Sequence, residues 1–141
     1  MWLNERKYDI VFLQETYGTV EVEDIWKTQW QGKLFFSHGT NRSCGVIALV
    51  RSDLDFKLNS VNADNEGRYL IIEAEVQSSA FLLVNIYAPN KVQEQCDFLE
   101  TIKSTKFLSE VTLMLRSTPI LTALVATRLK RIPQKISAIY T

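Results

Sequence analysis

Apolar residues in this chain gather in short blocks between polar, Gly- and Pro-containing breaks. Ile10–Leu13 is an unbroken apolar run that passes straight into Gln14 and Glu15. A continuous run, rather than an alternating one, belongs to a strand covered on both faces. A strand is therefore expected over Ile10–Gln14, delivering Glu15 to the rim of a sheet. Ile25, Trp26 and Trp30 recur at helical spacing, which predicts a helix over Glu23–Gln31 with Gly32 as its stop. Short strands are expected at Leu34–Phe36, Val46–Val50 and Phe56–Leu58. His38–Ser43 and Asn62–Gly67 read as polar connections between them.

Two longer strands follow. In Tyr69–Val76, Glu73 and Glu75 alternate with Ile72, Ala74 and Val76, and Phe81–Tyr87 is the partner across a hairpin at Gln77–Ser79. Pro89, with no N–H to donate to a ladder, ends the second strand. Gln93–Phe107 reads as a helix with Phe98, Leu99 and Ile102 inward, and Met1–Lys7 as the last turns of another. This order suits a layered α/β domain on a mixed, mostly antiparallel sheet.

Composition alters the picture at the C-terminal end. The 141 residues carry 16 basic and 16 acidic side chains, so the net charge is zero; a uniformly basic nucleic-acid-binding surface is not indicated, and a local basic groove stays open. All the acids lie at or before Glu110, however. Residues 1–110 hold 11 basic side chains against 16 acidic ones, a net −5, and residues 111–141 hold Arg116, Arg128, Lys130, Arg131 and Lys135 with no acid and no Gly. A change this sharp marks a composition boundary, with 111–141 a divergent basic tail whose apolar spacing would allow a helix. Cys44, Cys96 and the single His38 have neither zinc nor disulfide spacing, and read as ordinary reduced thiols and a lone imidazole. No signal peptide and no apolar run of membrane length are present, so a soluble intracellular chain is expected.

Several stretches offer chemistry. Glu15 is a hard oxygen ligand of the kind Mg²⁺ takes one or two of; taken alone it reads first as a solvated strand-end carboxylate. In Asn85–Asn90, alternation puts Asn85 and Tyr87 on one face, opposite Ile86. A phenol and two amides near a strand end can donate to phosphate oxygens, and a plain Pro-Asn turn is the alternative. Gly39–Gly45, containing Asn41, Arg42 and Ser43, offers Arg and backbone donors to a phosphate, or is simply a hairpin loop. Asn65–Arg68 reads as an ordinary turn. His38 has no nucleophile to pair with, so no Ser-His-Asp site exists.

Four blocks in order, DIVFLQET, HGTNRSCGVIALVRSD, EGRYLIIEAEV and FLLVNIYAPN, resemble the endonuclease/exonuclease/phosphatase family. The likeness is greatest to the AP-endonuclease-like domain of LINE-type retrotransposons, and covers about the first 99 residues. The resemblance implies a partial four-layered, DNase I-like α/β sandwich and Mg²⁺-dependent hydrolysis of DNA phosphodiesters, in a nuclear setting. Residue by residue it makes Glu15 the metal ligand, Tyr87 the catalytic tyrosine against the scissile phosphate, and Asn90 and Arg42 nucleic-acid contacts. The family's asparagine ligand would lie before Met1. Its G-D-F-N block and closing Asp-His pair do not follow the Gln93–Phe107 helix. Read one frame over from the third base of the Glu110 codon, the coding possibilities permit Gly-Asp-Phe-Asn-Val and then an acidic, Gly-rich run. Residues 111–141 are therefore expected to be out of frame, leaving an incomplete endonuclease domain at 1–110, inactive as this chain. The rival readings are a phosphoesterase of the same fold acting on small phosphorylated substrates, and a non-catalytic nucleic-acid-binding remnant.

Overall fold

In the computed structural model the described residues are Glu5, 8–40, 42–103 and, as backbone, 122–128. Apart from Glu5, which is helical, the expected helix end at Met1–Lys7 lies outside this set, as do the last residues of the Gln93–Phe107 helix. Seven strands and two α-helices are present among the described residues: β1 (Ile10–Leu13), a 3₁₀ turn (Val20–Val22) running into α1 (Glu23–Gln29), β2 (Gly32–Ser37), β3 (Val46–Arg51), β4 (Phe56–Ala63), β5 (Tyr69–Val76), β6 (Ser79–Tyr87), α2 (Val92–Lys103) and β7 (Thr122–Arg128). The strands form two sheets, of order β1-β3-β2 and β4-β5-β6-β7. Every pairing is antiparallel, so the architecture is α/β with antiparallel sheets rather than one mixed sheet. No described helix is long and apolar enough to cross a membrane.

Alternation along the strands builds three apolar layers of contact. Ile10, Phe12, Val46, Ala48 and Val50 of the first sheet meet Leu70, Ile72, Ala74, Phe81 and Leu83 of the second, so the sheets pack face to face. The opposite face of the first sheet buries Val11, Leu13, Ile47 and Leu49 under Trp30 and Trp26. The opposite face of the second buries Ile71, Leu82, Val84 and Ile86 under Ile102 and Phe98 of α2. Strands clothed on both sides are why β1 and β3 read as continuous apolar runs.

Three expectations need correction. The first helix stops at Gln29: Trp30 leaves it in extended conformation and donates its indole N–H to the Val50 carbonyl at 3.1 Å. Ile25 is 55% exposed, because only the Trp26 side of this short helix meets the sheet. Gly32 opens β2 instead of stopping the helix. A Cβ there would stand 2.1 Å from the Val50 carbonyl oxygen, so the close strand approach demands glycine. Finally, 122–128 is extended, with Thr122–Arg128 paired to Phe81–Tyr87, where the apolar spacing had allowed a helix.

Candidate active site

Glu15 and Tyr87 come from different sheets and meet at the seam between them. β1 ends at Leu13, and Gln14 continues its alternation inward. Glu15 then takes φ of 50°, a left-handed conformation that costs a non-glycine residue of order 1–3 kcal/mol. From β6, Asn85 and Tyr87 point into the same inter-sheet space while Ile86 points to α2, as alternation required. The Tyr87 hydroxyl donates to Glu15 Oε1. That bond, with partial burial behind it, pushes the Tyr87 phenol up to about 12. The group is therefore a proton donor, not a base, across the physiological range.

Backbone hydrogen bonds bring all four sequence blocks to this point. Thr16 N–H donates to the Gly45 carbonyl at 3.1 Å and Tyr17 N–H to Cys44 at 3.0 Å. Gly39 N–H donates to Gly18, Gly45 N–H to Gly67 at 3.0 Å, and Tyr87 N–H to Arg68 at 2.7 Å. The crossing is tight: Tyr17, Cys44, Gly45 and Gly67 also have positive φ. Asp64 holds the 64–69 turn in place, its Oδ1 accepting from the N–H groups of Arg68 at 2.8 Å and Tyr69 at 3.0 Å and from the Ser37 hydroxyl.

Arg68 is the residue that sequence reasoning passed over as part of a turn. Its guanidinium stands 5.6 Å from the Tyr87 ring centroid, and no carboxylate pairs with it among the described residues. Only its place in the EGRY block hinted at this position. The converse holds for Asn85, one of the two amides offered as phosphate donors. It is fully buried and its amide is spent on protein groups, donating to Leu13 and Ile47 carbonyls and accepting from Gln14. Arg42 is exposed on the loop, its N–H donating to Thr40 Oγ1 at 3.2 Å. Asn41 of that loop lies outside the described residues. Asn90 is exposed just beyond buried Pro89, at the entry to α2.

His38 is engaged elsewhere. Its Nε2 lies 2.8 Å from Glu23 Oε1 and its ring stacks on Phe36. Lys27 first, and His38 with it, holds the Glu23 carboxyl below the usual range. Cys44 is buried and Cys96 exposed, both as free thiols.

Among the described residues no group of three or more His, Cys, Asp or Glu side chains is placed to cage a metal. That excludes a multi-ligand zinc or calcium cage within this set. Mg²⁺ commonly needs only one or two carboxylates, completed by water and substrate phosphate. The half-buried Glu15 carboxylate supplies one such oxygen.

No protein-family model matches the chain. It is 33% identical over 103 residues, 73% of its length, to the Transposon TX1 uncharacterized 149 kDa protein of Xenopus laevis. The similarity relates the chain to a transposon-encoded protein, of whose length the match spans 8%.

Proposed function

We propose that this chain is part of a Mg²⁺-dependent DNA endonuclease domain of LINE type, a DNase I-like four-layered sandwich, and that as this chain it binds DNA phosphate without completing hydrolysis. The succession of α1, a three-stranded sheet, a four-stranded sheet and α2 supports the sandwich reading. The observation that carries the function is the contact of Glu15 with Tyr87, since a metal ligand and a phosphate donor must converge on one site. The transposon-encoded relative supports the same reading.

In this reading Glu15 would hold Mg²⁺, which when bound neutralises charge developing on the phosphate. Tyr87, kept protonated, would turn its single O–H from Glu15 to a phosphate oxygen as substrate arrives. Arg68 adds a cation beside it, and exposed Arg42 and Asn90 contact the nucleic acid further out. These residues bind and orient; none of them is assigned as the general base.

A supercoiled-plasmid nicking assay run beside a mobility-shift titration, each with and without Mg²⁺, tests this. The expected result is a shift strengthened by Mg²⁺, weakened by Glu15→Ala, and no nicking. Nicking that vanishes in Glu15→Ala would make this chain an active enzyme; no shift under any condition would remove DNA as the ligand.

A further inference from the structure

Glu15 and Tyr87 belong to strands of different sheets, and two strand ends on separately hydrogen-bonded sheets have no intrinsic reason to stay in register with each other. The residue immediately before Glu15 and the residue two before Tyr87 supply one. Gln14 Nε2 donates to Asn85 Oδ1 at 3.0 Å and to the Ile86 carbonyl at 2.8 Å. Asn85 Nδ2 donates back to the Leu13 carbonyl at 3.1 Å and to the Ile47 carbonyl at 3.2 Å. Leu13 and Ile47 are themselves a cross-strand pair of β1 and β3. One buried amide of the second sheet thus grips both β1 and β3 of the first at the point where Glu15 departs.

Gln14 and Asn85 are two of the three buried polar residues of the described core, beside Ser37, in an inter-sheet layer otherwise built of Leu, Ile, Val, Ala and Phe. An apolar pair would fill that space equally well. What an apolar pair lacks is direction: hydrogen bonds fix the offset of one sheet on the other, which hydrophobic contact does not.

We propose that Gln14 and Asn85 are the positioning pair of this site, a buried amide latch that sets the offset between the two sheets at which Glu15 and Tyr87 meet. The inference rests on the functional reading above in treating that meeting as a phosphate site, but its test needs neither metal nor DNA. Neither residue touches the ligand; both act through their neighbours in the chain.

The readout is the set of NOEs between the Tyr87 ring and the Glu15 side chain, recorded in selectively labelled protein while circular dichroism shows the fold intact. In the wild type the two side chains touch and the NOEs are present. In Gln14→Met and Asn85→Leu the offset between the sheets is no longer fixed and these NOEs are lost. Leu83→Ala, which empties a fully buried position on the same face of β6 and spares the amides, keeps them. Should Asn85→Leu not fold, Gln14→Met decides, because it keeps both carbonyl bonds of Asn85. Undiminished NOEs in the folded latch variants overturn the proposal, as does an equal loss in Leu83→Ala. A wild-type chain that binds no DNA would instead overturn the functional reading and leave this result standing.

Discussion

The Tyr87 phenol and the Glu15 carboxylate, 72 residues apart in the chain, are hydrogen-bonded partners at the junction of two sheets. That bond is the first cause of the raised phenol, ahead of burial. Glu15→Gln replaces a charged acceptor by a neutral one, and charge-assisted bonds are roughly twice as strong as neutral ones. Tyr87 should then titrate well below 12 yet above 10, since burial persists. Difference absorbance of tyrosinate, wild type against Tyr87→Phe, measures it; an unchanged titration would mean that burial alone sets the value.

The same group makes stability depend on pH in a defined window. In the unfolded chain Tyr87 ionises at its ordinary value of 10, and in the folded chain at about 12. The folded state holds the proton more tightly, so its contribution is complete below pH 10 and is lost as pH rises toward 12. Urea midpoints measured at pH 8, 10 and 11 should fall for the wild type and fall less for Tyr87→Phe. Parallel curves would detach Tyr87 from the alkaline loss.

On the proposed DNA-binding reading, the roles of Arg68 and Arg42 are separable by salt dependence. Each phosphate contact contributes about 0.9 to the slope of log affinity against log salt on duplex DNA. Arg68→Ala and Arg42→Ala should therefore each reduce the slope by about 0.9 if each meets one phosphate. Arg68→Lys should recover the slope, since a point charge suffices for it, but not all of the affinity, because the planar guanidinium over Tyr87 is lost. A full slope in Arg68→Ala would place that residue outside the footprint.

Two glycines at the crossing of the blocks are replaceable only at a cost. Gly45 and Gly67 have φ of 93° and 71°, a region that costs other residues about 1–3 kcal/mol. A Cβ on Gly45 would stand 2.6 Å from Thr16 Oγ1, a side-chain atom, whereas one on Gly67 would stand 2.5 Å from the backbone nitrogen of Gly45. Backbone yields less readily than a hydroxyl. Gly67→Ala should therefore lower the denaturation midpoint more than Gly45→Ala, and equal losses would show that φ alone sets the cost.

Local pattern revealed most of the strands, because burial on both faces writes itself into β1, β3, β5 and β6 as apolar runs. It placed Asn85 and Tyr87 on one face for the same reason. It did not reveal that β4 extends through Ala63, since that strand is largely exposed and its residues Lys57, Asn59, Ser60 and Asn62 carry no apolar signature. It misjudged Gly32, whose meaning lies in a strand far away in the chain. Arg68 and Asn85 were misread for the opposite reason: what each does is decided by partners that no spacing discloses, the ring of Tyr87 for one and two carbonyls of another sheet for the other. The Glu15–Tyr87 pairing rested on the order of the four blocks, not on the period of any one of them.

Because the two halves of the site hang from opposite sheets, there is no partial version of it in a chain whose sheets have come apart. A ligand that spans Glu15 and Tyr87 must therefore favour the docked state over any other, raising stability by RT ln(1 + [L]/Kd). Recognition and closure of the sandwich would then be one equilibrium, and such a ligand would work as a clasp on the protein that holds it.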